Sequence, residues 1–145
     1  MPFLCRLNLK GRNMKTPEQT SKHKKNLLNN LEELEKAKSH IIVEIIEYVP
    51  NAVLSRTIIK KTTGNITAMS FAEGEELAEK TIPFDTYVQI IDGAAQVTID
   101  TKEHQLKLGD GIIIPAHTTH RFFANKQFKM VSTVIKSGYE EIPSP

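Results

Sequence analysis

"GDGIIIPAHTTHRFFAN", residues 109–125, is the stretch of sequence on which the fold prediction rests. A glycine-rich turn opens a run of three isoleucines, and Pro115 ends that run. The next run carries His120 and Phe122 on one face, because side chains alternate across a strand. We therefore predict two short strands joined by a loop, with His120 inside the second strand and His117 in the loop.

The chain from residue 53 to residue 136 shows one sequence pattern throughout. Short runs rich in β-branched and aromatic residues alternate with turns that contain Gly, Asn, Asp or Pro. No long helical pattern interrupts them, and such close spacing is typical of an all-β sandwich or barrel. The predicted strands are residues 53–61, 65–71, 86–91, 94–99, 104–108, 111–114, 120–124 and 128–136.

Two turns are predicted to set the pairing of the central strands. Asp92-Gly93 is typical of a tight hairpin turn, because both residue types tolerate positive φ angles. A second hairpin is predicted to close on Thr101-Lys102. That register would set Ile99 opposite His104, with His104 on the same face as Leu106.

Composition and charge limit the classes of protein to which the chain can belong. No apolar window reaches the roughly 18 residues of a membrane helix, and the single cysteine, Cys5, excludes an internal disulfide and a thiolate zinc site. Residues 1–26 hold seven basic residues and one acidic residue, which leaves −4 on the remainder of a chain of net charge +2. We interpret residues 1–15 as a disordered basic leader of a cytoplasmic protein, and Met14 as an alternative start of translation. No membrane or nucleic-acid partner is expected, since the basic pairs lack interleaved aromatic residues.

An N-terminal α-helix is predicted before the barrel. Thr16-Pro17 suits a helix start, since threonine can cap and proline fits the first turn. Leu27, Leu31 and Leu34 then recur at helical spacing, so the helix would span about residues 17–38. The predicted organisation is a leader (1–15), a helical segment (16–48), a barrel (49–138) and an exposed tail (139–145).

The stretch 109–125, together with "GEELAEKTIPFDTYVQIIDG" at residues 74–93, resembles the two sequence motifs of the cupin superfamily. Five positions match those motifs in order and spacing: Gly74, Gly93, Gly109, Pro115 and His120. The resemblance covers roughly residues 53–136. It implies a small all-β, double-stranded β-helix (jelly-roll) barrel, which the predicted N-terminal α-helix would precede.

The metal-binding residues of these motifs are largely replaced. The resemblance puts Lys80 and Ile82 at the two histidine positions of the first motif, and Thr86 at its glutamate position. A protonated lysine has no lone pair to donate, and isoleucine has no ligating atom. Of the usual ligands only His120 remains, and one histidine does not hold a divalent transition metal. We therefore predict a degenerate metal site and no cofactor.

The predicted function is the binding of a small molecule, anionic or sugar-like, inside the barrel. Lys80 could hold an anion beside His120, become a Schiff-base nucleophile through desolvation, or extend its ammonium group to solvent at the barrel mouth. The residues expected to line the pocket are Lys80, Ile82, Thr86, His120 and Phe122. Deeper inward side chains such as Val88, Ile90 and Met130 would form either an apolar cavity or a filled core.

Two alternatives stay open. A metal-dependent enzyme of the isomerase or dioxygenase type would need a nonstandard ligand set for a divalent transition metal, namely His120 with His104 or His117. A structural or regulatory dimerisation module would instead have an inert barrel. A homodimer is expected, because pairing covers exposed sheet edges.

Overall fold

The computed structural model describes residues 29–30 and 32–139, and these residues form an all-β structure. A three-residue 3-10 helix, Ile42–Glu44, is the helical element within the described residues. The strands, in chain order, are β1 (Asn29–Asn30), β2 (Val53–Lys61), β3 (Gly64–Phe71), β4 (Glu76–Thr81), β5 (Asp85–Ile99), β6 (Lys102–Lys107), β7 (Gly111–Ile114), β8 (Thr119–Phe123) and β9 (Phe128–Ile135).

The strands form two facing sheets that share β5. Sheet A has the order β1-β2-β3-β9-β5-β7, and sheet B has the order β4-β8-β5-β6. Residues 85–93 of β5 pair in sheet A, and residues 94–99 pair in sheet B. Phe71 on β3 contacts Phe122 on β8 with ring centroids 6.1 Å apart, so the inner faces of the two sheets meet. The predicted double-stranded β-helix barrel is confirmed.

Strand β5 passes from one sheet to the other at Gly93. Its pairing with β9 shifts between Ile90 and Asp92, and Gly93 has a φ of +73°. A Cβ at this position would overlap with the backbone carbonyl oxygen of Gln127, so glycine is required here. The tight turn predicted at Asp92-Gly93 is therefore wrong. These residues form a bulge in a continuous strand, because its two halves find partners in different sheets.

The β5–β6 hairpin has a different register from the predicted one. Ile99 pairs with Lys102 and Val97 pairs with His104, so the turn lies at Asp100-Thr101 and not at Thr101-Lys102. Asp100 adopts a φ of +55°, and its backbone N–H donates to the carbonyl of Thr119 at 2.6 Å. This bond to a neighbouring strand selects the turn, and local sequence does not reveal it.

Strand β4 is absent from the predicted strands. Its side chains are mostly polar and exposed, because β4 is an edge strand that pairs with β8 in sheet B. Charged side chains are a common feature of edge strands, where they discourage pairing with another chain. The hydrophobic alternation that reveals a half-buried strand is therefore missing here.

Residues 42–52 cross the outer face of sheet A and cover a second, smaller apolar cluster. Ile46 packs there against Leu54 and Ala68. The Tyr48 hydroxyl donates to the Asp92 carboxylate at 2.5 Å, and the Lys129 ammonium donates to the carbonyl of Val43 at 2.6 Å. Burial, and then the hydrogen bond to Asp92, raise the pKa of Tyr48 above its usual value. This segment is thus tied to the barrel by both apolar and polar contacts.

The helix predicted over residues 17–38 does not extend over residues 29–30 or 32–38. Asn29–Asn30 form β1, parallel to β2, and the backbone N–H of Leu34 donates to the carbonyl of Ile58 at 3.1 Å. The open edge of β2 offers unpaired backbone groups, and this segment satisfies them. Residues 17–28 lie outside the described residues, as does the predicted leader at residues 1–15.

Candidate functional site

The predicted site residues other than Phe122 gather at one end of the barrel, which we call the mouth. It is the end at which β5 and β8 begin and β4 and β9 end; the Asp85 carboxylate accepts the backbone N–H of Ala116 there at 2.8 Å. His120 on β8 lies directly opposite Lys80 on β4 and opposite Ile99 on β5. Opposed residues of antiparallel strands share a face, with Cβ atoms about 4.5–5.5 Å apart. Lys80 and His120 are therefore neighbours, as the sequence frame predicts.

His120 is a buried histidine with an unsatisfied nitrogen. Its side chain is 4% exposed, and its Nδ1 atom has no hydrogen-bond partner. Burial lowers the pKa of His120 below the usual 6.5, the charge of Lys80 lowers it further, and a hydrogen bond with the Thr118 backbone acts in the opposite direction. His120 is therefore a neutral imidazole at neutral pH, with one ring nitrogen free to bind a ligand.

Thr86 supplies a second unsatisfied polar atom at the mouth. It lies on β5 between Ile114 and Val134, and its side chain is 4% exposed. Its hydroxyl oxygen has no hydrogen-bond partner. Burial alternates along this part of β5, so Thr86 faces inward together with Val88 and Ile90. Buried polar groups in proteins are usually satisfied, so two unsatisfied ones at one end of a barrel call for an explanation.

Sheet A also presents inward polar side chains, of which the sequence interpretation found Thr86 alone. Cross-strand register aligns them with Thr86 or with Val88, and both of these residues face inward. We call this set the hydroxyl wall: Thr57, Asn65, Thr67, Thr86 and Ser132. None of the five side chains hydrogen-bonds to another residue in the described part of the chain. Asn65, Thr67 and Ser132 are only half-buried, so solvent reaches them.

The opposite end of the barrel is filled with apolar side chains. Phe71 stacks on Phe128 with centroids 4.4 Å apart, and Phe122 contacts Phe71 from the other sheet. Val88, Ile90 and Met130 belong to the same buried cluster. Of the two states that the sequence left open for these residues, the structure has the filled core. Phe122 therefore lies beneath His120, against its ring edge, and is not open to the mouth.

The remaining predicted positions lie at the rim. Ile82 follows β4, is half-buried, and accepts the backbone N–H of His117 at 2.8 Å. His117 is exposed and has a φ of +66°, at the position where the resembled motif carries glycine. The histidine thus keeps a backbone conformation that suits glycine, at a cost of about 1–2 kcal/mol.

The alternative metal set is not assembled. His104 lies on β6 opposite Val97, with β5 between it and the strand of His120, while His117 points to solvent at the rim. Within residues 29–30 and 32–139, no three His, Cys, Asp or Glu side chains come together as a candidate metal site. Lys80, Ile82 and Thr86 at the ligand positions do not fit the metal of the resembled family.

Two cavities border the described residues away from His120. One, of about 430 Å³, lies between Tyr48–Asn51 and the loops that carry Glu73 and Gln127. The other, of about 590 Å³, is lined by Lys60, Lys61, Thr62 and Lys136 and lies at the mouth end of sheet A. Lys60 is also the cross-strand neighbour of Asn65, so this lysine-lined cavity adjoins the hydroxyl wall.

Comparison with known proteins agrees with this architecture. Residues 69–135 match the family model for the Cupin domain. Protein SchB of Streptomyces halstedii is 32% identical over 72 residues, which is 49% of this chain and 52% of that protein. The match thus spans about half the length of this curated relative. No helix among the described residues is long and apolar enough to cross a membrane.

Solved structures support the same assignment. A conserved protein of unknown function from Streptococcus pyogenes superposes with a TM-score of 0.70 at 29% identity, over 74% of this chain and 94% of that one. A cupin superfamily protein from Desulfitobacterium hafniense gives a TM-score of 0.68 at 28% identity, over 73% and 97%. Residues 69–135 therefore match the cupin family in sequence, the superposed structures share the fold, and the resemblance found in the sequence is confirmed.

Proposed function

We propose that this cupin domain binds a small anionic or sugar-like molecule at the barrel mouth through Lys80, Thr86 and His120. The observation that carries the proposal is a pair of buried atoms, His120 Nδ1 and Thr86 Oγ1, that have no hydrogen-bond partner. The exposed Lys80 lies at the same end of the barrel. A buried polar atom without a partner costs about 1–3 kcal/mol, and a bound ligand would remove that cost. Lys80 makes no ion pair within the described residues, so its charge is available.

The three groups offer complementary chemistry to such a ligand. The Lys80 ammonium donates up to three hydrogen bonds and attracts a carboxylate or phosphate. Neutral His120 has one donor and one acceptor nitrogen, and the Thr86 hydroxyl can act in either role. Lys80 is exposed and lacks the desolvation that activates a Schiff-base lysine. The proposal therefore assigns it a role as a cation. Ile82 would contribute an apolar contact at the rim.

A thermal-shift screen and isothermal titration calorimetry test the proposal. The panel contains inorganic phosphate, acetate, citrate, gluconate and glucose, and the variants are Lys80→Ala and the control Lys107→Ala. Lys107 carries the same charge on the outer face of sheet B, opposite Ala94. We expect at least one anion to bind the wild type and Lys107→Ala alike, and to bind Lys80→Ala about 10-fold to 100-fold more weakly. A panel without any binder, or equal affinity in all three proteins, would reject the proposal.

A metal assay separates this function from the metal-dependent alternative. Elemental analysis of protein purified without a histidine tag is expected to find no stoichiometric transition metal. Nickel, zinc, iron or manganese at one equivalent would overturn the proposal in favour of a metal-dependent enzyme of the isomerase or dioxygenase type.

The homodimer remains a proposal, supported by an exposed apolar row on the outer face of sheet A. Cross-strand pairing runs through Ile113, Tyr87, Thr133, Ile66 and Ile59. Ile113 is 64% exposed in the described chain. Sedimentation velocity is expected to show a dimer for the wild type and a monomer for Ile113→Lys. A monomeric wild type at micromolar concentration would contradict the proposed dimer.

The cytoplasmic location is a separate proposal, and cell fractionation tests it.

A further inference from the structure

The hydroxyl wall and the Lys80–His120 pair lie on facing sheets at the same end of the barrel. The contact between Phe71 and Phe122 aligns the inner faces of β3 and β8. Inward residues are two apart along a strand, so one step toward the mouth from Phe122 reaches His120. Two such steps from Phe71 reach Thr67, which pairs with Ser132 on β9. The wall thus begins one such step nearer the opening than His120 and continues toward the opening.

The hydroxyl wall suits a ligand that carries several hydroxyl groups. Thr57, Thr67 and Ser132 form one cross-strand row, with Cβ atoms about 4.5–5.5 Å apart from strand to strand. Every hydroxyl both donates and accepts, as an alcohol group on a ligand does. An aliphatic ligand lying on this row would leave all three hydroxyls without a partner other than water. A chain of adjacent hydroxyls would satisfy them.

The two inward cross-strand rows at the mouth carry cations, which favour an anion on the same ligand. The sheet B row that contains His120 begins with Lys80 and ends with Lys102. The sheet A row that contains Thr86 begins with Lys60 and continues through Asn65. Neither row contains a carboxylate. A ligand that spans the roughly 10 Å between facing sheets can therefore meet a cation at one end and hydroxyls along its length.

We infer that the ligand is a polyhydroxylated carboxylate, in which the carboxylate pairs with Lys80 and the hydroxyls contact the wall. This inference rests on the proposed function, because it names the class of molecule bound at the same mouth. A plain aliphatic acid can form an ion pair with Lys80 but cannot hydrogen-bond along the hydroxyl wall. A neutral sugar can hydrogen-bond along the wall but cannot form the ion pair. Only the combined class satisfies both faces.

Matched probes and matched variants test the inference by isothermal titration calorimetry. The probes are gluconate, hexanoate, glucose and inorganic phosphate. The variants are Thr67→Val on the wall and the control Thr98→Val, which makes the same isosteric change on the outer face of sheet B, opposite Glu103 and Arg121. Thermal unfolding of each variant verifies that it is folded.

We expect the wild type to bind gluconate at least 10-fold more tightly than hexanoate or glucose. Thr67→Val should weaken gluconate binding about five-fold and leave hexanoate binding unchanged, because one hydrogen bond is lost. Thr98→Val should bind as the wild type does. Hexanoate binding equal to gluconate binding, or phosphate binding without any gluconate binding, would overturn the inference and leave the proposed function standing. Failure of every anion to bind would remove the proposed function itself.

Discussion

The two ends of the barrel interior are built from opposite kinds of side chain. At the closed end, Phe71 packs against both Phe122 and Phe128, and all three rings are almost completely buried. At the mouth, the inner faces carry Lys80, His120 and the hydroxyl wall, and two buried polar atoms there have no partner. Apolar burial stabilises the fold, whereas unsatisfied polar groups oppose it. The comparison therefore assigns folding stability to the closed end and ligand recognition to the mouth.

Removing an aromatic ring from the closed end is expected to cause the largest loss of stability. Phe128 is fully buried, so Phe128→Ala is expected to destabilise the protein by about 3–5 kcal/mol through lost burial and the cavity left behind. Thr67→Val at the mouth should change stability by less than about 1 kcal/mol. Urea unfolding followed by circular dichroism measures both. Similar losses at the two ends would show that stability is spread evenly.

Two glycines that frame the first motif sharpen the comparison further. Gly93→Ala is expected to cost about 2–3 kcal/mol, because backbone strain at its positive φ adds to the overlap with the Gln127 carbonyl. Gly74 also has a positive φ, of +86°, but a Cβ there meets nothing within 4 Å. Gly74→Ala should therefore cost only about 1 kcal/mol of strain. Equal losses for the two variants, in the same urea experiment, would contradict the crossing role of Gly93.

The stability of the protein should depend on pH through His120 at the mouth. The pKa of His120 is lowered on folding, so below pH 6.5 the unfolded chain binds a proton that the folded chain does not. Its contribution to stability is complete above pH 6.5 and is lost as the pH falls through the folded pKa. Urea midpoints between pH 7.5 and 5 should fall more for the wild type than for His120→Phe. Parallel profiles for the two proteins would show that His120 does not titrate differently on folding.

The smallest expected effect lies at the rim. His117 holds a positive φ without being glycine, so His117→Gly should stabilise the protein by about 0.5–1 kcal/mol. His117→Ala keeps the strained backbone and should bring no gain. Differential scanning calorimetry measures both changes as shifts in Tm. A destabilised His117→Gly would mean that the exposed imidazole makes a contribution of its own.

Part of the site could be predicted from the sequence and part could not. The motif frame placed Lys80 beside His120 and turned Thr86 inward, since motif spacing and strand alternation are local properties. Thr57, Thr67 and Ser132 were missed because they come from three strands whose register is set by long-range pairing. A bulge between Thr57 and Ile59 in β2 also breaks the alternation that would have signalled an inward polar row.

The sequence by itself determined most of the strand runs and the positions of the motif frame. Each of these depends on residue type and spacing along the chain. Only the tertiary structure decided that Asp92-Gly93 bends a continuous strand, that Asn29–Asn30 pair with β2 while residues 32–38 form no helix, and that a hydroxyl wall faces His120. Those outcomes depend on which backbone groups, distant along the chain, hydrogen-bond to each other. Every residue type offers nearly the same backbone groups, so the local sequence does not reveal which strands will pair.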